Sequence, residues 1–172
     1  MRLVFVLLLS CGVAPALAGD QPKAPDMSSY PQNASFRNYV DTQTNGAPHL
    51  QHLLAISEFS YAGRMAKRYE LTEHGAQGYT SMSINPEGPN LGSGGGYYWP
   101  KLTETELRAV ASAIHELPPT NALPPIDDLV LVSFHQGTNW ITRSYDKRAL
   151  PGAIGQIYDI RRARWSQSFT VH

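Results

Sequence analysis

Cysteine is almost absent from this 172-residue chain: Cys11 is the only one. It lies in an N-terminal stretch with the marks of an export signal, so the remainder can form no internal disulfide and no thiolate metal site. Charge of one sign is also lacking. Lys and Arg number 14, and so do Asp and Glu. That balance gives no basic footprint for nucleic acid or an anionic membrane surface. Long apolar runs are missing too. The longest, Leu3 to Leu9, falls far short of the ~20 residues a membrane-spanning helix needs. Catalytic motifs are the last absence. There is no Gly-x-Ser-x-Gly elbow, no P-loop and no dinucleotide fingerprint.

Residues 1–18 read as a secretory signal peptide. Arg2 supplies the positive end, Leu3 to Leu9 the apolar segment, and Ala16-Leu17-Ala18 a small-x-small cleavage site before Gly19. This predicts a secreted or periplasmic protein with no transmembrane segment after cleavage. Leu8-Leu9-Ser10-Cys11 resembles a lipobox, and lipidation at Cys11 is the second-ranked alternative. Loss of Arg2 leaves 13 Lys and Arg against 14 Asp and Glu, a formal −1. Residues 19–51 carry Pro22, Pro25, Pro31 and Pro48 with few aliphatic side chains, and read as a flexible N-terminal arm. Within it, Ser35 to Val40 has enough aromatic content to dock.

A single folded domain is expected over 52–165, with 166–172 as a C-terminal tail. Leu54 to Phe59 reads as a strand, and Ala62-Gly63 breaks it. Met65, Tyr69 and Leu71 mark one face of a second strand. Gly75 suits the positive-φ position of the turn that follows. Thr80, Met82 and Ile84 define a third strand, with Tyr79, Ser81 and Ser83 facing away. This meander is expected to have one wet face. Leu129 to Phe134 is a near-continuous apolar strand, and Asn139 to Tyr145 returns from it.

The best-determined local structure is the helix after Leu102. Thr103 can cap it, with Glu106 three residues on to close a capping box, and Leu102 and Leu107 stand at the spacing of a hydrophobic staple. Leu107, Val110, Ala111, Ile114 and Leu117 form its apolar face. Pro118 and Pro119 end it. A second helix follows Pro151, with Leu150, Ile154 and Ile157 on one side. The order of elements predicts an α+β fold: an antiparallel sheet of about five strands with two helices on one face.

Asn85 to Pro100 holds five glycines and three prolines in 16 residues, and reads as a long loop that is mobile over Gly88 to Gly96, with at least one of Tyr97, Tyr98 and Trp99 packed beside the helix that follows. It leads into Tyr97, Tyr98 and Trp99, which are amphipathic aromatics of the kind that anchor protein interfaces. Trp140 and Arg143 belong to alternating sets on the returning strand, one of which should face solvent. These five residues are the candidate partner-binding set. No catalytic or metal site is predicted and no cofactor is implied. His49, His52 and His74 are the residues an alternative metal-dependent enzyme or hydrolase would use. His115-Glu116 opens like a metalloprotease helix motif, but Pro119 stands where the second histidine belongs.

Phe59-Ser60-Tyr61-Ala62-Gly63 before a strand, a helix ending in Leu117-Pro118, two strands and a closing helix together resemble the emfourin family. Those are small α+β proteins whose founding members inhibit thermolysin-like metalloproteases. The likeness spans Leu53 to Ile160. The family's Gly-Gly-Phe-Ala-Gly is reduced here to Tyr61-Ala62-Gly63, and this chain adds a third strand and a long glycine segment. The resemblance implies a shared architecture and a protease as partner. The leading expectation is thus an exported, non-enzymatic protein-binding domain whose partner is a protease or an envelope protein. A structural envelope component is a third reading. The pattern sets no oligomeric state.

Overall fold

The computed structural model describes residues 52–84, 91–150 and 152–159, together with Ser28, Tyr30, Arg37, Tyr39 and Val40; over 91–98 it describes the backbone alone. The fold is α+β. Six strands form one antiparallel sheet: β1 (His52–Ser60), β2 (Met65–Thr72), β3 (Gln77–Ser83), β4 (Leu91–Trp99), β5 (Leu129–Gln136) and β6 (Asn139–Asp146). Their order across the sheet is β4-β3-β2-β1-β5-β6. Helix α1 (Glu104–His115) joins β4 to β5, and residues 152–159 form helix α2. Among the described residues no helix is long and apolar enough to cross a membrane. The proposed signal peptide, Cys11, His49 and the C-terminal tail lie outside the described residues.

Side chains alternate across a strand, and here both faces carry core. On the first face Leu54, Ile56, Tyr69, Leu71, Tyr79, Val130, Val132, Phe134, Ile141 and Tyr145 are buried. They share a cluster with Val110, Ala113, Ile114 and Leu117 of the α1 segment and with Ile154 and Tyr158 of α2. On the second face Phe59, Ala66, Leu129 and Leu131 are buried with Ile84, Tyr30, Tyr39 and Val40. This overturns the expected wet face. Of residues 19–51, Tyr30, Tyr39 and Val40 are only 7%, 5% and 6% exposed, in keeping with the docking expected of Ser35 to Val40. Tyr39 stacks edge-on against Phe59 with centroids 5.7 Å apart and donates to Ser57 Oγ at 3.0 Å. Tyr30 donates its hydroxyl to the Pro124 carbonyl at 2.6 Å.

Helix α1 begins as its sequence dictates. Glu106 N donates to Thr103 Oγ1 at 3.3 Å, and Thr103 N donates to Glu106 Oε2 at 2.8 Å, so two otherwise orphaned donors are satisfied. Leu102 and Leu107 both pack against the first cluster. Ala113, rather than Ala111, completes the buried stripe. The turn at Gly75 fixes where the helix starts. Leu102 N donates to Gly75 O at 3.0 Å. Gly75 has φ +79°, and a Cβ there would meet Leu102 O at 2.9 Å. Only glycine meets both demands.

The segment expected to be a mobile loop is in part a strand. Residues 85–90 lie outside the description, but Leu91–Trp99 is β4 and pairs with β3. Its register slips twice. Thr80 faces both Gly95 and Gly96, and Gly92 has no counterpart between Met82 and Ser83. Such bulges need residues with wide backbone freedom and blunt a sheet edge. The other edge, β6, is guarded by the proline-rich connector. Ala122 N donates to Ser144 O at 3.0 Å, and Ser144 Oγ donates back to Ala122 O at 2.7 Å.

Candidate functional site

The five residues singled out from the sequence do not form one patch. Tyr97 and Tyr98 pair through their backbones with Tyr79 and Gly78. Trp99 is half-buried against the first core cluster, edge-on to Tyr79 at 5.8 Å and tilted on Tyr69 at 6.3 Å. Gln77, paired opposite it, accepts the Tyr69 hydroxyl at 2.9 Å and donates to the Pro100 carbonyl. Trp140 and Arg143 differ by an odd number of positions on β6 and so lie on opposite faces. Trp140 stacks edge-on against His135 at 4.9 Å. Arg143 donates to the Leu117 carbonyl at 3.1 Å, and its guanidinium lies 5.3 Å from the Phe134 ring centre. Neither alternating set on β6 faces solvent, since Ile141, Thr142, Ser144 and Tyr145 are all buried.

The described histidines do not converge. His52 faces Glu70, with Nε2 to Oε2 3.6 Å, and His135 is held by Trp140. His74 and His115 are exposed. No group of three or more His, Cys, Asp or Glu side chains among the described residues could hold a metal ion.

A different element stands out, the turn Tyr61–Arg64 between β1 and β2. Ser60 and Met65 are the last paired residues before it. Tyr61, Ala62 and Gly63 all adopt the left-handed conformation, with φ of 54°, 55° and 79°. For the first two this is unfavourable, about 1–2 kcal/mol per non-glycine residue. Such backbone persists only where its surroundings over-determine it, and they do. Ala62 N donates to Asp127 Oδ1 at 3.1 Å, Arg64 N to Tyr61 O at 3.3 Å, and Ile84 N to Arg64 O at 2.7 Å. Gly63 is buried, whereas Ala62 and Arg64 are exposed. Tyr61 is 74% exposed, and with Leu123 it is one of two exposed large hydrophobic side chains among the described residues.

Asp127 is itself anchored. It sits in a 3-10 turn, Ile126–Asp128, closed by Asp128 N donating to Pro125 O at 2.8 Å. The Lys147 ammonium donates to the Asp127 carbonyl and lies 3.5 Å from Asp128 Oδ1. Arg148 reaches Asp128 at 3.4 Å and grips Asp146 through two bonds of 3.0 and 2.7 Å. Those bonds hold the Asp146 carboxyl down to about 2 and push the Arg148 guanidinium up. The exposed tyrosine therefore stands on a backbone clamped from two sides, beside a ring of paired charges.

Sequence reasoning found the Tyr61-Ala62-Gly63 motif but missed its geometry. Gly63 signals a break; nothing in a tyrosine or an alanine signals a left-handed residue. No family model, curated protein or solved structure matches the chain.

Proposed function

We propose that this is an exported, non-enzymatic protein-binding domain that presents the Tyr61–Arg64 turn to its partner. The observation that carries the reading is a 74%-exposed tyrosine on a strained turn whose central amide is fixed by Asp127. Tyrosine supplies large contact area with little rotamer entropy to lose, and it is over-represented among binding hot spots. A backbone already held in place avoids part of the ordering cost of association. The turn projects from the end of a strand pair, whereas small-molecule sites are concave. A convex, rigid element suits insertion into a cleft on another protein.

The partner in this reading is a protease or an envelope protein. A protease has the cleft such a turn would enter, and the likeness to emfourins points the same way. The test is capture from the native extracellular or periplasmic fraction, run in parallel with wild-type protein and Tyr61→Ala. Support requires a protein retained by the first and lost by the second, with both folded. Equal capture by the two would remove the turn from the account.

A further inference from the structure

We infer that the second face of the sheet carries a carboxylate-binding site built on Arg68. Arg68 lies in the middle of β2, with Ser57 opposite it on β1 and Thr80 opposite it on β3. Register places all three on the face away from Tyr69 and Leu71. The Arg68 Nε donates to Glu70 Oε1 at 2.5 Å. Its Nη1 is enclosed and, among the described residues, meets no acceptor. A guanidinium cannot shed its proton, and a buried donor left unpaired is costly, more so when charged. An acceptor delivered to Nη1 would therefore be bound with the full benefit of a charge-assisted bond.

The neighbouring groups define what that acceptor should be. Glu70 is already divided: Oε1 serves Arg68, and Oε2 faces His52 Nε2 at 3.6 Å. Tyr39 stands beside the nest, bonded to Ser57 opposite Arg68. Its hydroxyl is given to Ser57 Oγ, and the charges of Arg68 and Glu70 both act on its phenol. Side-chain exposures of 14% for Arg68, 16% for His52 and 30% for Glu70 put Glu70 on the side nearest solvent. The charge of Glu70 on that side repels a dianion more than a monoanion, so a carboxylate fits better than a phosphate. A neutral carbonyl would form the weaker bond.

The test is side-chain proton–nitrogen NMR of the full chain, with the Arg68 signals assigned by their loss in Arg68→Lys. Sodium acetate is titrated against sodium chloride at equal ionic strength. The expected result is a saturable shift of the Arg68 signals in acetate only, abolished in Arg68→Gln. A drift equal in both salts, as a nest filled by water alone would give, overturns the site. So does a saturable acetate response of neighbouring backbone amides that persists in Arg68→Gln. Should Arg68→Gln fail to fold, the acetate-against-chloride contrast on wild-type protein decides alone. A further arm uses acetyl-trialanine as free acid and as amide. Binding of the acid assigns peptide termini as a source, and binding of acetate without it assigns free small carboxylates.

Discussion

Asp127 accepts the main-chain amide of Ala62 at 3.1 Å across 65 positions of sequence. That bond ties the turn between β1 and β2 to the start of β5, and it holds two non-glycine residues left-handed. Its removal should act on binding more than on stability. Asp127→Ala should cost about 1 kcal/mol, the usual net value of one hydrogen bond. Ala62→Gly removes left-handed strain but frees the unfolded chain, and the two effects nearly cancel. Both variants should weaken partner binding while urea melts move little. Unchanged binding in both would mean that the turn's rigidity is irrelevant to recognition.

The cap and the stripe of α1 predict a graded series. Thr103→Ala should cost about 1 kcal/mol, as one lost N-cap. Ile114→Ala empties a site 5% exposed against the sheet and should cost about 2–5 kcal/mol. Equal costs for the two in urea would contradict the packing of α1 described above.

Two glycines should respond in opposite degrees. At Gly155 a Cβ would meet the Leu150 carbonyl oxygen at 2.4 Å, backbone that cannot swing aside. Gly155→Ala should therefore cost about 3 kcal/mol, the upper end for overpacking. At Gly137 nothing lies within 4 Å, but φ is +63°. Gly137→Ala should cost only the left-handed strain, about 1 kcal/mol. Thermal or urea unfolding of both variants checks the order.

Stability should fall at alkaline pH through Tyr39. Burial raises its phenol above the ordinary value of 10, more than the Ser57 bond and Arg68 lower it. The folded state thus favours the neutral form. The contribution is fully present below pH 10 and is lost as pH rises through the folded value. Tyr39→Phe should flatten that alkaline decline. At the acid end Asp146 titrates near 2, so its pairing with Arg148 persists until pH approaches that value. Carboxyl carbon NMR checks the second statement directly.

Much of the scaffold is legible in the residues themselves. The Thr103 and Glu106 box, the Gly75 turn and the apolar run at Leu129 each rest on local chemistry, and each forms as the sequence predicts. What fails locally depends on distant partners. Gly92 to Gly96 has no strand propensity, and β3 supplies the ladder that makes it β4. Tyr79, which alternation assigns away from Met82, is only 1% exposed because the sheet is covered on both faces. The second cover includes Tyr30 and Tyr39, from a segment too poor in aliphatic side chains to announce a core. The candidate site was hidden for the same reason. Tyr61 is presented by a backbone that Asp127 stabilises from the other half of the chain, whereas the aromatic Trp99 is drawn into the core by Tyr69 and Tyr79.

The most direct test of the account is the affinity of the captured partner for Tyr61→Ala, measured by calorimetry beside wild type and Trp99→Ala. The account predicts a loss of about 2 kcal/mol or more for Tyr61→Ala with its melting temperature unchanged. Trp99→Ala should instead lose stability and keep its affinity wherever it remains folded. Wild-type affinity in Tyr61→Ala, or a loss confined to Trp99→Ala, would contradict it.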